Sequence, residues 1–221
     1  MRLRKKRLEM ILSKLKTHPS PSPRLEQYEL TPRAAAEVVL WAWEKGDVED
    51  RSICDLGCGT GRIAIAAALF GARRVVGIDL DEVALRVARE NINIAQEASG
   101  FEISGRIRLR RGDVSEIRPE ELGPIDVVIQ NPPFGVQERS SDRIFLQKAL
   151  EIAPVVYSLH NRGEGVETFI RKYVRQLGGK VLDKKALLMH IPRQFSFHTK
   201  PRRLIAADLY RIGRSSYEKE T

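Results

Sequence analysis

Asn131-Pro132-Pro133-Phe134 is the stretch of this sequence whose residue types read most directly as chemistry. A planar amino nitrogen, on a heteroaromatic ring or in an amide, has a delocalised lone pair. It becomes a usable nucleophile only when its hydrogens are held and the lone pair is aimed at an electrophile. The side-chain oxygen of Asn131 and the carbonyl of Pro132 can each accept one such hydrogen and favour the nitrogen as it turns tetrahedral. Pro132 and Pro133 stiffen the loop. Phe134 offers a ring face to an extruded base, an interaction worth about 1–3 kcal/mol. The bland alternative is a plain Asn-Pro-Pro turn.

The electrophile is indicated upstream. Ile53-Cys54-Asp55-Leu56-Gly57-Cys58-Gly59-Thr60-Gly61 leaves a strand, turns through three glycines and enters an apolar helix. Glycine lets the backbone approach a ligand closely. The spacing is G-x-G-x-G, with an acid two positions before Gly57, and differs from the G-x-G-x-x-G of dinucleotide sites. That combination favours S-adenosylmethionine, which has a cationic amino-acid end and no pyrophosphate; Asp55 can hold its ammonium directly or through water. A purely structural glycine turn is the alternative. A second apolar run, Val75-Val76-Gly77-Ile78, ends in Asp79, where a carboxylate can accept both ribose hydroxyls. Asp81 reads as the N-cap of the helix that follows. Asp113, after Arg111-Gly112, is placed to meet the cofactor's adenine amino group, or else simply makes a turn.

Such groups must be brought to one sheet edge. From Thr31 onward, helical and short apolar segments alternate, the mark of an α/β domain with a mostly parallel sheet covered on both faces. Thr31-Pro32 opens a helix running to about Lys45. Strands are predicted near 52–56, 74–79, 106–111, 125–130, 154–159, 181–190 and 203–210, and helices near 61–70, 81–98, 141–151 and 165–177. The last two strands lack an intervening helix and should form an antiparallel hairpin. Seven strands ending so resemble the class I methyltransferase version of the Rossmann fold.

The 221 residues carry a net charge of +9, and residues 1–24 hold eight basic side chains against the single acid Glu9. This segment reads as a basic N-terminal extension to a domain spanning 25–221. Leu8, Ile11, Leu12 and Leu15 recur at helical spacing, so residues 2–16 form either an RNA-contacting arm or a helix packed on the domain. Cys54 and Cys58 have no partner cluster and indicate neither a disulfide framework nor a metal site. No apolar run is long enough for a membrane span, and no secretory leader is visible, which predicts a cytoplasmic protein.

Taken over almost the whole chain after Ser22, the sequence resembles the eukaryotic and archaeal family of small-subunit ribosomal RNA N6-adenosine methyltransferases, the methyltransferase-like protein five family. The resemblance rests on Leu25-Glu26-Gln27-Tyr28 with Thr31, Asp55-Leu56-Gly57-Cys58-Gly59, Ile78-Asp79, Asn131-Pro132-Pro133-Phe134-Gly135, Val156-Tyr157-Ser158-Leu159-His160 and Phe197-His198. It implies methylation of adenine N6 in RNA. It also implies cofactor contacts from Gln27, Thr31, Thr60, Asp79, Asp113 and Val114, and a small zinc-binding activator protein as partner. The Tyr28-to-Thr31 spacing is one residue longer here than in eukaryotic members, so helix capping competes as the role of Thr31.

Some features stay open. His198, Lys200, Arg202 and Arg203 suit either a phosphate-binding loop or a solvated hairpin tip. Tyr157, Ser158 and His160 lack the pattern of a hydrolase triad and read as wall packing or substrate shape. Trp41 and Trp43 face different directions, with at least one in the core. A protein glutamine methyltransferase would also use an Asn-Pro-Pro-aromatic motif, but its usual large helical N-terminal domain is missing here. A SAM-binding RNA scaffold without turnover would be signalled by an altered Asn131 or Asp79, and both are intact.

Overall fold

The computed structural model describes residues 3–22, 29–133, 141–192 and 202–215. Helix α1 (Lys5–Leu12) and helix α2 (Pro32–Glu44) precede the sheet. The alternating unit then runs β1 (Ser52–Leu56), α3 (Arg62–Leu69), β2 (Arg74–Asp79), α4 (Glu82–Ser99), β3 (Ile107–Arg111), β4 (Val127–Gln130), α5 (Ser141–Ile152), β5 (Val155–Asn161) and α6 (Val166–Gln176). The chain closes with the hairpin of β6 (Gly179–Pro192) and β7 (Arg202–Arg214). The seven strands order as β3-β2-β1-β4-β5-β7-β6, parallel through β5, with β7 antiparallel to both β5 and β6. The expected class I methyltransferase topology is therefore present, and both hairpin strands are longer than the sequence pattern suggested.

Side-chain alternation explains how the sheet is covered. Ile53, Val127, Ile129, Val155, Tyr157 and Leu159 join one core with residues of α1, α2 and α3. Cys54, Leu56, Val128 and Val156 join a second core with α5 and α6. All residues of β1 and β4 are buried, as two covered faces require. Thr31 caps α2 by accepting from the Ala34 N–H at 3.3 Å, with Pro32 in the first turn. Asp81 caps α4, as anticipated, by accepting from Val83 and Ala84.

The N-terminal segment differs from a separable arm. Leu8, Ile11, Leu12 and Leu15 are buried in the same core as α2 and α3, so α1 is an integral helix of the fold and the core extends across a boundary at residue 24. Burying an apolar side chain of this size stabilises by about 1.5–3 kcal/mol, which outweighs anything its surface charges contribute. Much of the basicity is also spent locally. Lys5 pairs with Glu37, Lys16 with Glu90, and the Arg7 guanidinium donates to the Ser99 carbonyl. Arg4, Lys6 and Lys14 remain exposed.

Candidate active site

Strand register assembles the site. Leu56 pairs with Ile78 on one side and Gln130 on the other, so the next residues, Gly57, Asp79 and Asn131, occupy one level at the carboxyl edge of three adjacent strands. Neighbouring strands lie about 4.8 Å apart, which places the glycine loop between Asp79 and the Asn-Pro-Pro motif. Residues 22, 52 and 74 apart in sequence become neighbours for no reason beyond the order β2-β1-β4 and the parallel register.

Backbone hydrogen bonds hold the loop itself. The Gly57 and Cys58 N–H groups both donate to the Ile78 carbonyl at 2.9 Å, and the Gly59 N–H donates to Asp79 Oδ2 at 2.7 Å. Gly57 and Gly59 have φ of +69° and +52°, which L side chains rarely adopt. A Cβ on Gly57 would come 3.1 Å from the Phe145 ring, whereas one on Gly59 would meet nothing within 4 Å. Gly57 is thus required by packing, and Gly59 opens on space that a ligand can fill. Gly61 turns left-handed into α3 and supplies no side-chain cap.

Asp55 replaces that cap. Its Oδ2 accepts from the Ala64 N–H at 3.0 Å, three residues into α3, while its Oδ1 is buried with no hydrogen-bond partner. Burial pushes the carboxyl up to about 8, and the nearby Asp79 adds to the shift. An unpartnered buried carboxyl oxygen beside the open Gly59 fits the ammonium of an amino acid. Asp79 accepts from Gly59 through Oδ2 and from the Asp81 N–H through Oδ1 at 2.9 Å, so its carboxylate plane is fixed. Burial raises its pKa above the usual range, opposed by those two hydrogen bonds.

The remaining expected residues divide. Thr60 is buried within the loop and Val114 is buried in the turn after β3. Asp113 is exposed and uses Oδ1 to accept from the N–H and hydroxyl of Ser115, so its turn-making role is present. Asn131 and Pro133 are half-buried and Pro132 is buried. Gln27 and Phe134 lie outside the described residues, as do His198 and Lys200. Arg202 and Arg203 open β7.

A clasp over the glycine loop is not legible in the sequence. Asn91, fully buried in α4, donates through Nδ2 to the Thr60 and Lys16 carbonyls at 2.9 and 3.0 Å and accepts from the Lys16 N–H at 2.7 Å. His18 bonds Asp81 Oδ2 through Nε2 at 2.9 Å and accepts from the Ser20 N–H at Nδ1. Glu29 accepts from the His18 N–H and pairs with Arg62 at 3.0 Å. The segment after α1 is therefore fastened to α3, α4 and the glycine loop. Asn91 does leave a signal, since a polar residue interrupts the buried Ala84, Ala88, Ile92, Ala95 stripe. His18 leaves none.

Comparison with known proteins settles the lineage. The family model of ribosomal protein L11 methyltransferase (PrmA) matches residues 34–131, the part that carries the cofactor loop and ends at Asn131. The rRNA N(6)-adenosine-methyltransferase METTL5 of Danio rerio is 32% identical over 210 residues, covering 94% of this chain and 97% of that relative. The chain belongs to the METTL5 family. A crystal structure of a candidate RNA methyltransferase from Pyrococcus horikoshii superposes with a TM-score of 0.85 at 39% identity, over 97% of this chain and 99% of that one. The same fold, at 19% identity and a TM-score of 0.60, occurs in magnesium protoporphyrin IX methyltransferase from Synechocystis with bound SAM, over 82% of this chain and 78% of that one.

The segment of the METTL5-family pattern on β5 has a packing role. Tyr157 donates to Asp47 Oδ2 at 2.7 Å, Arg211 donates to the same oxygen, and Trp41 meets the Tyr157 ring edge-on at 5.5 Å. On the opposite face, Gln130 donates to Ser158 Oγ at 2.9 Å and Ser158 lies 2.8 Å from His160 Nε2. All three are buried, and burial lowers His160 to about 4. A neutral, enclosed Ser–His pair braces the base of the Asn-Pro-Pro strand and presents no nucleophile to solvent.

Proposed function

We propose that this chain transfers a methyl group from S-adenosylmethionine to the N6 of adenosine in RNA, with small-subunit ribosomal RNA as the substrate. The observation that carries the reading is the single level of the sheet shared by Gly57, Asp79 and Asn131, in a chain of the METTL5 family. Bound S-adenosylmethionine supplies an electrophilic sulfonium methyl. Asp79 would accept the ribose hydroxyls, Asp55 the ammonium, and Asp113 with Val114 would border the adenine. Gln27, Thr31 and Thr60 complete the cofactor set that the family resemblance implies. The Asn131 side chain and the Pro132 carbonyl accept the two N6 hydrogens, so the lone pair points away from them and toward the methyl donor. Pro133 restricts the loop and Phe134 stacks on the flipped base.

The reading extends to a cytoplasmic setting and to a small zinc-binding activator docking on the sheet edge. Strand β3 ends the sheet and offers such an edge. Incubating the protein and labelled S-adenosylmethionine with ribosomal RNA, transfer RNA, DNA and total protein, then digesting each, tests the acceptor. Label is expected on N6-methyladenosine from ribosomal RNA. Label on glutamine instead would overturn the assignment.

A further inference from the structure

We infer that the joint surface of α5 and α6 is a docking strip for single-stranded RNA leading away from the target adenosine, organised by Arg143, Phe169, Tyr173 and Lys172. This deepens the proposed function and rests on it. The two aromatic rings are stacked, with centroids 5.7 Å apart and planes within 10°. The Arg143 guanidinium lies 5.0 Å from the Phe169 centroid and 5.9 Å from that of Tyr173. Both rings are half-buried while Arg143 and Lys172 are exposed.

Charge identifies the occupant. Of the acids on these helices, Glu151 is engaged by Lys148 and Glu167 by Arg171 and Lys184, and Asp142 in the first turn of α5 is half-buried. Arg143 and Lys172 make no ion pair among the described residues. A guanidinium stacked on aromatic rings keeps its N–H edge free for a phosphate and its outer face free for a base, a combination suited to an unpaired nucleic-acid strand. An acidic peptide would use the charge but not the stacking face.

Position links the strip to the site. Strand β4 delivers Asn131 at the carboxyl edge, and α5 is the next helix along the chain. Phe145, two residues beyond Arg143, abuts the cofactor loop closely enough that a Cβ on Gly57 would stand 3.1 Å from its ring. Residues two apart on a helix face roughly opposite sides, so the same turn touches the cofactor loop with Phe145 and turns Arg143 outward onto α6. Helix α6 follows the carboxyl end of β5, which brings Phe169 to the same edge.

The test compares wild type, Arg143→Ala, Arg143→Lys and Phe169→Leu in binding a fluorescent single-stranded RNA across a salt series. Thermal melting and S-adenosylmethionine affinity are measured in parallel. Arg143→Ala should weaken RNA binding about tenfold and lower the salt slope by about one. Arg143→Lys should restore the slope but not the full affinity, because lysine keeps the charge and loses the planar stack. Phe169→Leu should weaken binding without changing the slope. Melting temperature and cofactor affinity should stay at wild-type values. Unchanged RNA affinity in Arg143→Ala, or a loss that only tracks a fall in melting temperature, would reduce the strip to interhelix packing. Loss of binding to a glutamate-rich peptide with RNA binding intact would refute RNA as the occupant. Failure of the wild type to bind RNA would overturn the parent reading and the strip together.

Discussion

Replacing Asn91 by leucine removes three hydrogen bonds with little change in volume. The exposed position of Lys16 allows its freed N–H and carbonyl to find water, so each of those losses should cost about 1 kcal/mol. The Thr60 carbonyl is inside the fold, and leaving it unpaired should cost about 1–3 kcal/mol. The sum is on the order of 3–5 kcal/mol, and a domain of this size loses about 2–4 °C per kcal/mol, so melting should fall by roughly 10 °C. Asn91→Asp should cost at least as much, because it keeps the contact to the Lys16 N–H but buries a charge against two carbonyls. The glycine loop keeps its bonds to Ile78, Asp79 and, through α3, Asp55. Cofactor affinity at a temperature well below melting should therefore drop less than about tenfold. Calorimetric melting with isothermal titration of S-adenosylmethionine reads both quantities. A melting shift under about 2 °C in Asn91→Leu would refute the clasp; a complete loss of cofactor binding in a folded variant would refute the independence of the loop.

Three further outcomes follow from particular residues. Asn131→Ala should abolish methyl transfer in a labelled-methyl assay while S-adenosylmethionine affinity is largely retained, and equal loss of both would contradict its action on the acceptor. Leu12→Ala should lower stability by about 2–5 kcal/mol in chemical denaturation, and removal of residues 1–22 should leave no cooperative melt, since α1 belongs to the core. Asp55 should make stability pH-dependent. Its folded pKa of about 8 lies above the unfolded value, so its contribution is complete below about pH 4 and is lost as pH rises toward 8, where the unfolded chain has released the proton first. Asp55→Asn should flatten that slope, and cofactor binding near pH 7 should release a proton detectable by titration in buffers of different ionisation enthalpy; no buffer dependence would exclude an ammonium contact.

How much was visible beforehand depends on the range of the interaction. The glycine loop, Asp79 and Asn131 sit at strand ends, and strand ends are announced locally by apolar runs broken at glycine, proline or acid. Parallel topology then does the rest, since consecutive βα units bring their carboxyl ends to one edge. The position of Asp55 two residues before Gly57 is plain in the sequence, but its role as the substitute cap of α3 is not, because that bond depends on the left-handed turn at Gly61. The integration of α1 was only half legible. Its apolar stripe is plain, yet the stripe alone does not say whether it meets the domain, and the cluster of positive charge is equally consistent with a solvent-facing helix. The His18–Asp81 and Glu29–Arg62 contacts join residues 63 and 33 apart through irregular chain, where no periodicity marks a partner.

The same charge that suggested an RNA arm is better understood as part of a division of the surface. A net charge of +9 coexists with a buried Asp55 and a half-buried Asp79 near the carboxyl ends of the adjacent strands β1 and β2. Burial is the main cause of both raised carboxyls, with Asp79 adding to the shift of Asp55, and a cationic ligand offsets it. A polyanion is instead drawn to the basic exterior. Opposite local fields therefore sort the two substrates before any shape is read: the sulfonium and ammonium of the donor toward the glycine loop, the phosphates of the acceptor toward the helices outside it. Neutralising Asp79 with asparagine should on this argument weaken S-adenosylmethionine far more than RNA, and a parallel loss of both affinities would show that the two fields are not separate.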